Sequence, residues 1–311
     1  MNSESSFHKP VLLEEVISFL RPYSPGKYLD GTLGGGGHAR ALLEASSPDG
    51  QLWGLDRDIE AIKEASIALQ PFGKRVKLIH GNFRHARELL PEISFNGILL
   101  DLGVSSHQFN TGERGFSCDR TGPLDMRMDA GQGQNAAQIL AESDGDEIAR
   151  FIRDYGEEPF SRKIARAIVR AREQNPILTT GELAEIVLRA VPWKSERKSL
   201  VRVFQAIRIR VNDELAALES ALESLFDMLT LEGFMAVISY HSLEDRPVKK
   251  YFNRLTNPCT CPPDLPVCAC NRTPDAQVLT RKPVRATTEE IDSNPRSRSA
   301  RLRVIKKLKH K

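Results

Sequence analysis

The sequence predicts an α/β protein, a doubly wound, Rossmann-like domain formed from both ends of the chain with an all-helical domain inserted into it. Three observations predict this. Over the first hundred residues, short apolar runs ending in Asp or Gly (KYLDGT, LWGLD, VKLIHGNF, GILLDLG) alternate with amphipathic stretches, the rhythm of buried parallel strands and crossover helices. After Asp101 the rhythm stops and a helical period takes over. It resumes late in the chain with GFMAVISYHS, another buried strand.

In order, the first strand ends at Asp30 and runs into the glycine-rich turn DGTLGGGGH, with a helix beginning near His38. The second, QLWGLD, ends in Asp56, the third gives way to GNFR and Phe83, and the fourth ends at Asp101 in LLDLGVSSHQ. Residues 109–135, rich in Gly, charge and turn formers, have no period and read as a long ordered loop. Helical faces follow at Ile148, Phe151, Ile152 and Tyr155, then Phe160, Ile164 and Ile168, then Leu183, Ile186, Val187 and Ala190. Thr179 and Glu182 form a capping box for the last of these. A longer amphipathic pattern, Leu200 to Leu229, leads back to the α/β domain. The expected division is residues 1–108, an inserted helical domain at 109–200 that carries substrate recognition, and 201–311.

Composition narrows the function classes. With 27% charged and 40% hydrophobic residues the chain is an ordinary globular sequence with a sizeable core. There is no run of about 18 apolar residues, and MNSESSFHKP lacks the basic-then-apolar pattern of a secretion signal. A soluble, cytoplasmic protein without membrane attachment is expected. The net charge is only +3, yet the segment from Pro295 holds eight Arg or Lys in seventeen residues. That end is either a strand, Arg301 to Ile305, with a solvated basic tail, or a contact for an anionic partner.

A strand, a glycine-rich turn and a helix N-terminus present backbone amides to a ligand. A dinucleotide would place its pyrophosphate there and would want no acid in the turn. S-adenosylmethionine is cationic at sulfur and carries an α-amino group, so Asp30 favours the sulfonium cofactor over a nicotinamide one. Asp56, 26 residues after Asp30, can accept hydrogen bonds from two ribose hydroxyls. Phe83 lies where an adenine ring would rest, and Asp101 completes four strand ends along one edge. The alternative is that the glycines make only a tight turn and Phe83 is core.

The segments DGTLGGGGH, LLDLGVSS, ERGFS, GPLDMRM, FQAIRIRVNDEL, ISYHSLEDR and NPRSRSARLR resemble those of the MraW (RsmH) family. The resemblance covers about residues 7–255 and 290–305. It implies an S-adenosylmethionine-dependent methyltransferase acting on the exocyclic amino nitrogen (N4) of a cytidine in the decoding region of small-subunit ribosomal RNA. It further implies that Gly36, Gly37, His38, Asp56, Phe83, Asp101 and Gln108 contact the cofactor and that the inserted domain recognises RNA. The free RNA and the small ribosomal subunit are both possible partners. One departure stands out. Amino methyltransferases of bases commonly carry an (Asp/Asn/Ser)-Pro-Pro-aromatic turn after the fourth strand, and here it reads Asp101-Leu102-Gly103-Val104.

A cytosine amino nitrogen is a poor nucleophile until an acceptor on its N–H lets it become more tetrahedral. Asp101 is the candidate acceptor, with Ser105, Ser106 or nearby carbonyls as helpers, and the remainder of catalysis is alignment. Methylation at another base position, as at a ring carbon, would need a nucleophilic cysteine, and Cys118 lies in no motif for it. A base must also be unpaired or flipped to enter such a pocket. His241, Ser242 and Arg246, in SYHSLEDR after a strand end, are candidate base or phosphate contacts. Glu244 and Asp245 instead read as helix-start residues with Ser242 capping. Arg162, Lys163, Arg166, Arg170 and Arg172 share a helix, and Lys194, Arg197, Lys198 and Arg202 cluster. Both groups are either a phosphate-tracking surface or solvated faces. A non-catalytic RNA-binding module on the same fold is the rival to an enzyme.

Four of the five cysteines crowd into CTCPPDLPVCAC as two C-x-C pairs six residues apart, Cys259, Cys261, Cys268 and Cys270. Four thiolates can surround tetrahedral zinc. Reduced thiols on a loop, or a redox-sensitive pair, are the alternatives, and the methyl-transfer chemistry requires no metal.

Overall fold

The computed structural model describes residues 10–261, 270 and 272–308. Its contacts divide the chain into two compact units, Met1–Gly103 with Ala216–Lys311, and Val104–Leu215.

The first unit is built on seven strands: β1 (Lys27–Asp30), β2 (Gln51–Asp56), β3 (Val76–His80), β4 (Phe95–Asp101), β5 (Leu229–Ser239), β6 (Ala276–Val278) and β7 (Arg301–Lys307). They form one sheet in the order β3-β2-β1-β4-β5-β7-β6. Strands β1 to β5 pair in parallel, while β7 pairs antiparallel with β5 and β6 antiparallel with β7. Parallel strands are covered on both faces, which is why their sequences are continuously apolar. In β4, Ile98 and Leu100 pack on one face with Leu218, Leu222 and Leu225 of the helix Glu214–Asp227. Leu99 packs on the other, with Val16 and Leu20 of Leu13–Leu20 and Leu42 of Gly37–Ala45. The winding reverses between β1 and β4. In open α/β sheets a ligand binds at such a reversal, beyond the carboxyl ends of the strands.

The second unit gathers the predicted helical faces into one core: Ile148, Phe151 and Ile152, Ile164 and Ile168, and Leu183 and Val187 are buried together. Tyr155, Phe160 and Ile186 are partly buried against it. The segment after Asn110 has no helix longer than one turn before Ala136, yet it is anchored, because Phe116, Leu124, Met126 and Met128 enter the same core. The capping box of Thr179 and Glu182 forms.

Three expectations are corrected. The pattern from Leu200 to Leu229 is two helices, Glu196–Asn212 and Glu214–Asp227, separated by Asp213 in a left-handed conformation (φ 50°). Each helix buries a face, so apolar periodicity runs through the break. The second unit begins at residue 104 rather than 109 and extends to 215 rather than 200. Asn212 fixes that end by accepting from Met128 N–H (2.8 Å) and donating to the Met126 carbonyl (2.7 Å). Strand β6 had no signal, being a three-residue edge. Strand β5 starts earlier than its apolar run, with an irregularity in its pairing to β4 between Phe95 and Gly97.

Candidate active site

Backbone pairing brings the ends of β1, β2 and β4 to one edge: Asp30 pairs with Gly54 and Leu99, and Asp101 with Ile238 of β5. The ladders continue past the strands, since Gly31 N–H donates to Leu99 O and Leu33 N–H to Leu55 O, both at 2.9 Å. The turn after β1 is therefore rigid. Gly31 is pressed against the next strand, where an added Cβ would lie 2.6 Å from Leu100 and 3.2 Å from Phe83. Gly34 and Gly36 have φ of 51° and 82°, the region that glycine enters without penalty. Gly36 caps the helix Gly37–Ala45, and a Cβ on Gly37 would strike Pro10 at 2.6 Å.

Three carboxylates collect here. Asp30 is buried, and burial pushes its pKa up to about 7, with Thr32 N–H bonding partly offsetting this and the charges of Asp101 and Asp56 adding to it. Burial likewise raises Asp56 to about 6, although it accepts N–H bonds from Gly34 and Asp58, both at 2.8 Å. Asp101 is raised to about 7, first by burial; the Tyr240 hydroxyl opposes the shift and Glu244 adds to it. Its side chain keeps 23% exposure, a face open to a ligand.

Asp101 is closely held. Its N–H donates to Thr32 Oγ1 at 2.6 Å, and its Oδ1 accepts from the Tyr240 hydroxyl at 2.8 Å. Oδ2 lies 3.8 Å from His38 Nδ1, while His38 Nε2 is 2.9 Å from the Val11 carbonyl. With Nε2–H donating to that carbonyl, His38 turns its other ring nitrogen toward Asp101. Buried His38 is thus part of the site's wall. Tyr240 and Thr32 were not singled out from the sequence. Tyr240 directly follows β5, some 140 positions from Asp101, and only the pairing of β5 with β4 makes them neighbours.

Phe83 opens a one-turn helix after β3 and packs partly buried beside the turn at Gly31. His241 is the N-cap of Ser242–Thr256, so the cap falls one residue before the expected Ser242. His241 Nε2 lies 2.9 Å from Glu244 Oε1, and Glu244 Oε2 accepts from Tyr240 N–H at 2.8 Å. Asp245 pairs with buried Arg303 through contacts of 2.6 and 3.0 Å. Glu244 and Asp245 are therefore structural. Arg246 is exposed on the same helix.

Ser105, Ser106 and Gln108 belong to the second unit. Ser105 and Gln108 form a reciprocal capping box at the helix Ser106–Asn110, which Ser106 opens. In the same unit Arg153, Arg162, Lys163 and Arg166 line a cavity of about 430 Å³ with Phe160. Arg172 is taken up by the carbonyls of Leu140 and Ser143, and Arg197 by Asp119. Part of the basic chain end is likewise occupied internally: Arg303 with Asp245, Lys306 with Glu232, and Lys307 with the carbonyls of Phe226, Asp227 and Leu229. Of the clustered cysteines, Cys259, Cys261 and Cys270 converge, and Cys268 lies outside the described residues.

A reversal of winding lined by the carboxylates Asp30, Asp56 and Asp101 suits a ligand with positive charge and ribose hydroxyls, and suits a pyrophosphate poorly. The donor set fits S-adenosylmethionine, and the class so defined is a Rossmann-like S-adenosylmethionine-dependent methyltransferase. The model of the MraW methylase family matches residues 5–308, and the chain belongs to that family. It is 52% identical to the "Ribosomal RNA small subunit methyltransferase H" of Symbiobacterium thermophilum, over 97% of this chain and 96% of that one. The protein of the same name from Syntrophotalea carbinolica is 50% identical over 99% and 100%. Among solved structures, an rRNA methylase from Streptococcus thermophilus aligns at a TM-score of 0.42 with 11% identity, covering 96% of this chain and 93% of that one. NSun6 from Pyrococcus horikoshii with SFG aligns at 0.45 with 11% identity, over 100% and 56%. Neither is close enough to bear on residues or chemistry.

Proposed function

We propose that the protein methylates N4 of a cytidine in the decoding region of small-subunit ribosomal RNA. The observation that carries the reading is Asp101, an acid of raised pKa at the reversal of winding, bonded through Oδ1 by Tyr240 and with a side chain that stays 23% exposed. Ribosomal RNA as substrate is supported by the near full-length relatives named for it. Cytidine, its N4 atom and the decoding region rest on the family resemblance, and the cytoplasm is the corresponding place of action.

S-adenosylmethionine supplies an electrophilic methyl group on a sulfonium. Asp56 would accept hydrogen bonds from the ribose hydroxyls, Phe83 would lie beside the adenine, and Gly36 and Gly37, with Gln108 by the family resemblance, would help to hold the cofactor. Asp30 and Asp101 give the pocket the negative potential that a cation requires. Asp101 Oδ2 accepts an N–H of the cytosine amino group, which localises the nitrogen lone pair. After transfer, Oδ2 takes that proton, a role matched by a pKa near 7. The Tyr240 hydroxyl fixes Oδ1, so Oδ2 is the atom presented. Tyr240 also lays its ring against Gly103, where an added Cβ would be 3.1 Å away; an aromatic thus adjoins a turn that lacks the usual Pro-Pro-aromatic sequence. Ser105, Ser106, His241, Ser242 and Arg246 are the proposed base and phosphate contacts, and residues 104–215 the RNA-recognising unit.

The test is transfer of label from methyl-labelled S-adenosylmethionine to undermethylated small subunits, followed by nucleoside analysis. Label in N4-methylcytidine supports the reading. Label at a ring carbon overturns the N4 assignment, and no label with cofactor bound leaves a non-catalytic module.

A further inference from the structure

Outside the methyl-transfer site, Cys259, Cys261 and Cys270 place their sulfur atoms within 4.8 Å of one another. We propose that this cluster is a structural zinc site. Zinc–thiolate bonds of about 2.3 Å put the sulfurs of a tetrahedral site roughly 3.8 Å apart, so the three thiols need close by only about an ångström. The second C-x-C pair of the sequence also contains Cys268, which lies outside the described residues.

The position explains the need. The cluster lies between the helix Ser242–Thr256 and β6. The two ends of that connection are tied by Asp275 N–H to Leu255 O, and Leu308 N–H donates to Asp275 O, each at 2.9 Å. Between Cys259 and Cys270 the sequence has three prolines and only Leu265 and Val267 as large apolar residues, too few for a core of its own. A metal supplies the missing cross-link. It pins the far end of the helix whose first turn carries His241 and Ser242, and it holds the edge strand β6 on β7. Each thiol that binds zinc gives its proton to solvent and becomes a thiolate, with no change of oxidation state.

The full chain, grown with zinc and purified under reducing conditions, is expected to carry about one zinc ion per molecule by elemental analysis. Cys118→Ser keeps it; Cys261→Ser and the double change Cys259→Ser with Cys270→Ser lose most of it. Cobalt added to the zinc-stripped wild-type chain gives the thiolate charge-transfer and tetrahedral ligand-field bands, a readout that needs neither the variants nor activity. The proposal is overturned by a zinc-free chain that stays colourless with cobalt, by zinc retained in the double variant, or by a native mass short of the hydrogens lost to disulfides within the cluster. Methyl transfer plays no part in these readouts, so either reading can fail alone.

Discussion

At the residue scale, Asp101 depends on two neighbours for its orientation. Tyr240→Phe deletes the hydroxyl that binds Oδ1, a bond to a charged group of about 1.5–3 kcal/mol. Methyl transfer is expected to fall roughly tenfold to a hundredfold, while cofactor affinity, measured by calorimetry, changes far less. Equal losses in both would reduce Tyr240 to a packing role. The three carboxylates also set a pH dependence. Their pKa values lie above those of the unfolded chain, near 7 for Asp30 and Asp101 and near 6 for Asp56, so their contribution to apo-protein stability is greatest below pH 4 and is lost as pH rises through 6 to 7. A bound cation favours the ionised forms. Cofactor affinity should therefore weaken as pH falls from 8 to 5.5, and the rise in Tm on adding cofactor should be larger at pH 8 than at pH 6. A pH-independent increment would mean that these acids are ionised without it. Asp30, Asp56, Phe83 and Asp101 were legible in the sequence because each ends or follows a strand in register with the glycine turn. Tyr240 and Thr32 were not, since their roles arise from hydrogen bonds that no local pattern encodes.

At the element scale, close approaches decide what the sequence only permits. The helix Gly145–Gly156 meets Glu196–Asn212 at Gly156, where a Cβ would stand 2.7 Å from the Arg202 carbonyl. Gly156→Ala must push the helices apart, and we expect a loss of about 1–3 kcal/mol, read from urea unfolding followed by helical circular dichroism. An unchanged midpoint would show that the helix end can yield. Between β7 and the helix Ser242–Thr256, Arg303 and Asp245 form a buried pair. Burial raises the Asp245 pKa, but the bonds from Arg303 and the charges of Arg303, Arg301 and Lys249 leave it lowered. Its stabilisation is present above the unfolded carboxylate pKa and fades as pH falls through the lower folded value. Asp245→Ala strands the guanidinium and should cost about 3–5 kcal/mol; a change under 1 kcal/mol in the same unfolding assay would show that water satisfies Arg303. The apolar periods announced these helices but not their limits. The break at Asp213 was hidden because the faces on either side of it are both buried.

At the scale of the whole molecule, charge is distributed more narrowly than composition suggests. Part of the basic chain end is spent on internal partners, and the cavity lined by Arg153, Arg162, Lys163 and Arg166 is a cationic surface of the second unit. If this unit tracks phosphates, Arg162→Glu with Arg166→Glu should lower the slope of log affinity for RNA against log salt by roughly 1.5–2, and cofactor binding should be untouched. An unaltered slope would place the RNA elsewhere. No helix among the described residues is long and apolar enough to cross a membrane.

The sequence by itself determined the alternation of strands and helices, the acids at the strand ends and the existence of an inserted helical segment. These follow from periods and turn chemistry within a few residues of each other. Tertiary structure decided which strand ends are adjacent, the limits of the second unit, the hold of Tyr240 on Asp101 and the convergence of three cysteines. All but the last join residues far apart in the chain, where pairing and burial, and not local preference, fix the outcome.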